Sequence, residues 1–587
     1  METSHNHLSR EEIPQRNVSG RPKFFDRHTL LHLAFLAALI WVVYYLHFRS
    51  LGLYEDDYAY ISFPLGWHLP DLIHYLQVFT TWPQGRPLGF FIPHLLAFAG
   101  QKLGGLSTIY IFGYLVHAIN AGLFYLILRK VSTKTIAFIG ALTFVLFPAD
   151  TTHVFLMHSL GLHTALTFLL IAAILYPTKW KPLSYLFGLA SLVTYESPYL
   201  VFLAVPLLGR SWDRRLVREM LRHLAIWMGI LIVVALIRAR LGEGRIIAAE
   251  SSLGTTLLHS LAAMGIGPAV SLYLFAYSLG WTLLHWTLQL TPVFAACLLP
   301  FAFLLIWTRR AVTGMKDTSI VRLNCKIFGL ERSLTVTAPQ AETLRLLLTG
   351  LVMLALAYGL SFTHFPPTAL YGRVTSVHLA AAFGGSIVFS CLCSLGLDLA
   401  HSHRLEWPAV ILLAVYLSGL SAYCFSIQLD FRQAWQNERS FWSQAVAELP
   451  DLTDGTIIFV LNHDLPTTRY ILTNSWADPT ILYQVYKFPV DWQTPPRLFV
   501  VGADWTQTIV RVGDQLEWQV PGATWQSHRE VLPDGNVILL EMQNGRLVRR
   551  YGSLTIDGQE LRLKSLPANA SPDWPKGTLY PYLLGEK

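Results

Sequence analysis

Apolar runs, many of about 14 to 22 residues, recur along the first two thirds of the chain between short polar or basic segments, the pattern of membrane-spanning helices. The runs are Leu30–Phe48, Thr108–Leu128, Ile136–Phe147, Leu160–Tyr176, Leu183–Val193, Tyr199–Leu208, Leu224–Ile237, Val293–Trp307, Leu346–Phe362, Val377–Leu397 and Ala409–Phe425. From Leu253 to Trp286 the chain is also apolar, but Gly265, Gly267, Pro268 and Gly280 interrupt it, and it is expected to add either no crossing or two. About eleven crossings then follow.

Basic residues order these runs. Arg21, Lys23 and Arg27 precede the first, and Arg129-Lys130, Lys179 with Lys181, and Arg309-Arg310 follow alternate later ones. The segment Gly209–Arg222 holds five arginines, read as a cytoplasmic loop. Another basic inner loop is expected up to Arg345. The N-terminus is therefore expected inside and everything after Phe425 outside. The outer segments include 49–106, Pro148–Ser159 and His364–Arg373. Within the first, Leu69–Leu76 has the spacing of a short amphipathic helix lying on the membrane surface.

After the last run the pattern changes. Phe431–Leu449 reads as an amphipathic connecting helix with Trp435, Phe441 and Trp442 on its apolar stripe. Thr456–Leu461, Arg497–Val501 and Val537–Leu540 read as short buried strands, with turns at Gly455, Gly502, Gly535 and Gly545. The expected fold is a polytopic α-helical membrane protein with a C-terminal extracytoplasmic α/β or α+β domain. Its parts are a cytoplasmic tail (1–28), a membrane domain (29–428) and a soluble domain (429–587).

Composition agrees with this class. Of 587 residues 53% are hydrophobic and 14% charged, and mean hydropathy is +0.41; a soluble domain carries roughly 25% charge. The net charge of +7 is accounted for by the loop lysines and arginines and implies no nucleic-acid partner. The five cysteines, Cys297, Cys325, Cys391, Cys393 and Cys424, all precede the C-terminal domain, so no disulfide framework is expected there. The first apolar run lacks a small-residue cleavage pattern and reads as a retained span. Asn17-Val18-Ser19 has the form of a glycosylation acceptor, but the tail is expected to be cytoplasmic.

Candidate chemistry concentrates in the outer segments. Glu55-Asp56-Asp57 follows immediately on the first span, where carboxylates are costly to desolvate and mark a functional site. Arg86 and Arg373 are arginines on the side that the charge rule leaves poor in them, and a planar guanidinium suits a phosphate. Asp150, His153, His158 and His163 form a loose cluster, although histidines five apart are not a helical ligand pair; His163 reads as a packed span residue. Glu196 lies at an outer turn between two short runs. Trp67, Trp82, Tyr273 and Trp281 suit an interfacial aromatic belt, and Asn462-His463-Asp464 suits a loop cap.

Several of these stretches resemble the polyprenyl-phosphate-dependent glycosyltransferases of the GT-C class, which includes protein O-mannosyltransferases and lipid A aminoarabinose transferases. Asp56-Asp57-Tyr58-Ala59-Tyr60 resembles the acidic pair that follows the first span in that class. Gly85-Arg86-Pro87-Leu88 resembles the Arg-Pro that opens the next helix, and Phe147-Pro148-Ala149-Asp150 with His153 resembles the second outer loop. The resemblance covers roughly Leu30–Arg210 and extends further only in layout.

It implies transfer of a sugar from a polyprenyl-phosphate donor to a lipid, glycan or protein acceptor at the outer face of a cell membrane. Asp56 would be the general base, Asp57 its orienting neighbour, and Arg86 and Arg373 would bind the donor phosphate. Asp150, His153, His158 and Glu196 would support the substrate. A divalent metal held by Asp56, Asp57, Asp150 and His153 is left open. The rival reading is a transporter or flippase of lipid-linked saccharides, which should bury ionisable groups inside its spans; on the sequence, the spans look nearly clean.

Overall fold

The computed structural model describes residues 26–210, 212–244, 253–310, 320–327, 330–360, 367–461, 477–502, 504–520, 528–556, 558–567 and 574–585, with side chains except at 253, 320–336 and 528. Asn17-Val18-Ser19, His364 and Asn462-His463-Asp464 lie outside the described residues.

The chain is mainly helical. Eight helices among the described residues are long and apolar enough to cross a membrane: Arg27–Ser50, Leu106–Val131, His158–Leu175, Arg214–Arg240, Gly254–Leu284, Leu290–Arg310, Ala381–Ser402 and Glu406–Ala447. Several expectations change. Leu253–Leu284 is one continuous 32-residue helix that contains Pro268, so it is neither broken nor doubled. Lys134–Val145 has only 12 residues, about 18 Å at 1.5 Å per residue, and every side chain from Thr135 to Val145 is buried. It is a core helix enclosed by its neighbours. The pair expected at Leu183–Val193 and Tyr199–Leu208 is a 14-residue helix, Lys181–Thr194, followed by a 3₁₀ stretch, Tyr199–Leu207. The arginines Arg214, Arg215, Arg218 and Arg222 are not in a loop; Asp213 caps Leu216 N at 2.8 Å, and the helix starts beneath them. The second basic loop contains an antiparallel hairpin, β1 (Ile320–Ile327) with β2 (Leu330–Thr337).

Polar groups also lie inside the bundle, contrary to the expectation of clean spans. His32 joins three helices through Tyr125 (2.8 Å) and Thr308 (3.1 Å). The buried His117 and Asn120 lie on helix Leu106–Val131 and the buried His163 on helix His163–Leu175. Asn120 donates to the His163 carbonyl at 2.8 Å, since an unpaired polar group is costly in hydrocarbon.

The last helix runs unbroken from Glu406 to Ala447, about 63 Å, so it outreaches a roughly 30 Å hydrocarbon layer and carries the C-terminal domain. The expected boundary at 428/429 falls inside it. The domain holds a mixed four-stranded sheet in the order β4 (Arg497–Val501), β3 (Ile457–Leu461), β8 (Val537–Gln543), β9 (Arg546–Arg550). Strand β3 is parallel to β4 and β8, and β9 is antiparallel to β8. Its central strands are apolar on both faces because both are covered. Ile458, Val460, Leu498, Ile538 and Leu540 join the core that includes Trp442 and Leu482. Ile457, Phe459, Phe499 and Leu539 join a second core with Trp505 and Trp518. The latter two belong to an outer segment built around a three-stranded sheet, β5 (Ile509–Val512), β6 (Gln515–Val520) and β7 (His528–Val531).

The domain is tied to the membrane helices. A buried Arg549–Asp451 pair (2.5 and 3.0 Å) clamps β9 to the end of the long helix. Gln484 donates to the Tyr58 carbonyl at 3.2 Å, directly beside the acidic turn.

Close backbone approaches set the geometry of the other wall of that turn. A Cβ at Gly89 would lie 2.3 Å from the Thr194 carbonyl oxygen, so only glycine lets helix Pro87–Gly104 meet the end of Lys181–Thr194. Gly89→Ala is expected to cost about 1–3 kcal/mol through overpacking, read as a lower Tm in detergent. Gly396→Ala, at a helical position with nothing within 4 Å, should leave Tm unchanged or slightly raised.

Candidate functional site

The first span ends in a π turn (Trp41–Tyr45) and a 3₁₀ turn (Phe48–Ser50), and the chain then enters a sharp turn at Glu55, whose φ is +43°. A non-glycine residue rarely adopts this left-handed conformation, and such strain persists only where its surroundings hold it. Here they do. Tyr54 Oη donates to the Phe431 carbonyl at 2.9 Å, and Gly52 N donates to Tyr54 Oη at 3.0 Å.

The turn sends the three acids different ways. Asp57 points inward and is 0% exposed. Its Oδ1 accepts from Met157 N at 2.7 Å, and its Oδ2 from Leu156 N at 3.2 Å and Tyr54 N at 3.3 Å. Asp56 points to Arg373, whose Nη2 and Nε lie 2.9 and 3.0 Å from Oδ2. Glu55 lies 3.8 Å from the same guanidinium. The Arg373 side chain remains 41% exposed, so the pair sits at an opening rather than in the core.

Three segments distant in sequence thus hold one another. The turn 54–57 is bonded to the loop 150–157 through Asp57, and to the loop 372–375 through Asp56. Those two loops are joined by Thr151 and Thr375, which share a hydroxyl bond of 2.8 Å and a second bond from Thr151 N at 3.0 Å. Gly372, at φ +82°, turns the chain so that its carbonyl accepts from Thr375 Oγ1 at 2.7 Å.

The carboxyl of Asp57 is pushed up to about 7. Burial is the main cause; the three backbone N–H bonds work against it but do not cancel it, and the neighbouring Asp56 adds to the rise. Asp57 therefore exchanges its proton near neutrality.

Arg86 and Glu196, both singled out in the sequence, pair with each other. Arg86 also lies over the Tyr195 ring, 4.7 Å from its centroid. A third member was not foreseen: Arg238, near the end of Arg214–Arg240. It reaches Glu196 at 3.3 Å, the Gly85 carbonyl at 3.2 Å and the Leu192 carbonyl at 2.9 Å. Glu196 is therefore shared by two arginines, and Arg86 is engaged within the wall. Tyr195 links the two groups, lying near enough to Arg373 to act on its charge.

Asp150 and His153 come together with His163, read from the sequence as a packed span residue, and with His117, which sequence reasoning missed. Asp150 Oδ2 is 3.5 Å from His163 Nε2, while Oδ1 accepts from Thr152 N and Oγ1 at 2.9 and 2.7 Å. Facing nitrogens of the three histidines all lie within 4.8 Å of one another. Burial holds His153 down at about 4 against the pull of Asp150, so its ring is neutral at pH 7. The set considered for a metal, Asp56, Asp57, Asp150 and His153, is not assembled: Asp57 faces backbone N–H groups and Asp56 faces Arg373. His158 is buried at the start of the next helix, its ring 5.2 Å from Phe155. The signal for His117 was present in the sequence: it is an ionisable residue in the middle of an apolar run, a functional candidate by default.

Comparisons with protein-family models, with curated proteins and with solved structures returned no match.

One consequence follows for stability. The folded chain keeps a proton on Asp57 up to about pH 7, whereas an unfolded chain releases it near 3.8. Stability is therefore expected to fall as pH rises from about 4 to 7. Asp57→Asn should flatten this part of the Tm–pH curve in detergent. An unchanged slope would contradict the assignment.

Proposed function

We propose that this protein is a membrane glycosyltransferase that moves a sugar from a polyprenyl-phosphate donor to an acceptor hydroxyl at the membrane surface. The observation that carries this reading is the Asp56–Arg373 pair: a carboxylate just past the first span meets an arginine 317 residues further along, beside an opening. Transfer needs a base for the acceptor and a cation for the phosphate, and this pair supplies one of each.

In the reaction the acceptor oxygen attacks the anomeric carbon, and the bond from that carbon to the phosphate oxygen breaks. Polyprenyl phosphate leaves, the configuration inverts, and Asp56 takes the acceptor proton. Without donor, Arg373 sits on Asp56 and weakens it as a base. A donor phosphate that draws Arg373 away would free the carboxylate only when there is something to attack. Asp57 is a positioning residue: its backbone bonds fix the turn that aims Asp56. Arg86, Glu196 and Arg238 form the adjoining wall, so Arg373 rather than Arg86 is assigned to the phosphate. The C-terminal domain, docked through Gln484, borders the site and is suited to acceptor contact. In this reading the acids lie outside the cell.

A specific observation keeps the transporter reading as the alternative: the buried His117, His163 and Asp150 group lies among the membrane helices. One assay separates the two. Purified protein is offered a panel of polyprenyl-phosphate sugars, with and without EDTA, and release of polyprenyl phosphate is followed. Donor-specific release is expected, and Asp56→Asn should reduce it about 10²- to 10⁴-fold while leaving Tm within a few degrees. Full release by Asp56→Asn would overturn the proposal. Movement of labelled donor across proteoliposomes without any release would favour transport.

A further inference from the structure

Asp150, His117, His153 and His163 converge from three elements: the helix Leu106–Val131, the loop 150–157 and the first turn of helix His163–Leu175. Each residue is at most 6% exposed. His117 Nε2 and His153 Nδ1 are buried without a hydrogen-bond partner, and His163 Nε2 and Asp150 Oδ2 have only each other, 3.5 Å apart. Buried polar atoms are nearly always well paired, so poorly satisfied atoms gathered around one cavity are a signature of something that sits between them. They border a cavity of about 20 Å³, otherwise lined by apolar side chains such as Ile40, Phe144 and Leu379. That is room for one ion or one water and no more.

We infer that these four residues form a closed site for a single divalent transition ion of the Zn²⁺ type. Three imidazoles and one carboxylate are a donor set of borderline softness, which suits Zn²⁺ better than Ca²⁺ or Mg²⁺. The spacing agrees. Zn–N and Zn–O bonds of about 2.0–2.1 Å place tetrahedral ligands about 3.3 Å apart, and Asp150 Oδ2 stands 3.5 Å from His163 Nε2. The three histidines each offer a nitrogen within 4.8 Å of the other two.

Surrounding groups hold the ligands in place, as outer partners do in metal sites. Thr152 fixes Asp150 through Oδ1 and leaves Oδ2 facing the cavity. Tyr44 stacks on the His153 ring at 4.4 Å, and Tyr45 bonds the His153 carbonyl at 3.1 Å. Asn120 bonds the His163 carbonyl at 2.8 Å. With four protein ligands the ion has no open position, so its role is structural. It fastens the loop 150–157, whose Leu156 and Met157 amides hold Asp57. The inference does not depend on the transferase reading, because its readout is metal content.

The test uses the full-length, untagged chain expressed with zinc supplied. Elemental analysis is expected to find about one Zn²⁺ per chain. Stripping with dipicolinate should lower Tm, and added Zn²⁺ should restore it. Co²⁺ added to the stripped protein should give the intense visible bands of a tetrahedral site. His163→Gln and Asp150→Asn, if monodisperse, should lose the bound zinc and the bands. If the variants fail to fold, the wild-type measurements decide alone. No zinc, no cobalt bands and an unchanged Tm on chelation would overturn the site in favour of a buried water. So would folded variants that keep the metal.

Discussion

The bonds from Leu156 and Met157 to Asp57 are the constraint on which the rest of the site depends. A carboxylate that is fully out of water is destabilised unless it is met by donors. The backbone of the loop 150–157 supplies two of them and Tyr54 a third. This compensation is partial, which is why the group titrates near neutrality instead of near 4. Because backbone amides are the partners, the bond fixes chain direction as well as charge. It holds the strained Glu55 turn, and that turn decides where Asp56 points.

The same loop organises what lies behind the turn. Its Thr151 meets Thr375 and so places Arg373 opposite Asp56, while its Asp150 and His153 face His117 and His163 in the bundle. One short segment therefore faces the site on one side and a buried polar cluster on the other. The second wall is built independently, by the approach of Gly89 to Thr194 and the sharing of Glu196 between Arg86 and Arg238.

How much of this was legible in the sequence follows from how local each feature is. Length and hydropathy are local, so the long apolar helices, a helix at Leu69 (Leu69–Thr80) and the strands at Arg497 and Val537 were readable. Helix boundaries were less so, because Pro268 is tolerated inside one continuous helix whose freed groups neighbours can satisfy, and because the 12-residue Lys134–Val145 is apolar through burial in protein. At the site, Asp56 and Arg373 were each legible as charges in unusual places, but their pairing across 317 residues was not. Arg86 and Glu196 were chosen singly and turned out to be partners. Arg238 stands just past the run Leu224–Ile237, where a basic residue is ordinary, and His117 shares no motif spacing with His153 or His163, so only the packing of helices unites them.

The central claim is that Arg373 guards Asp56 until a phosphate arrives. It is tested most directly by an experimental structure of the full chain with a polyprenyl phosphate bound. The account predicts a phosphate within hydrogen-bond distance of Arg373, with Asp56 released from the guanidinium and Asp57 still held by Leu156 and Met157. A phosphate bound instead at the arginines near the start of the helix Arg214–Arg240, with the Asp56–Arg373 pair intact, would contradict it.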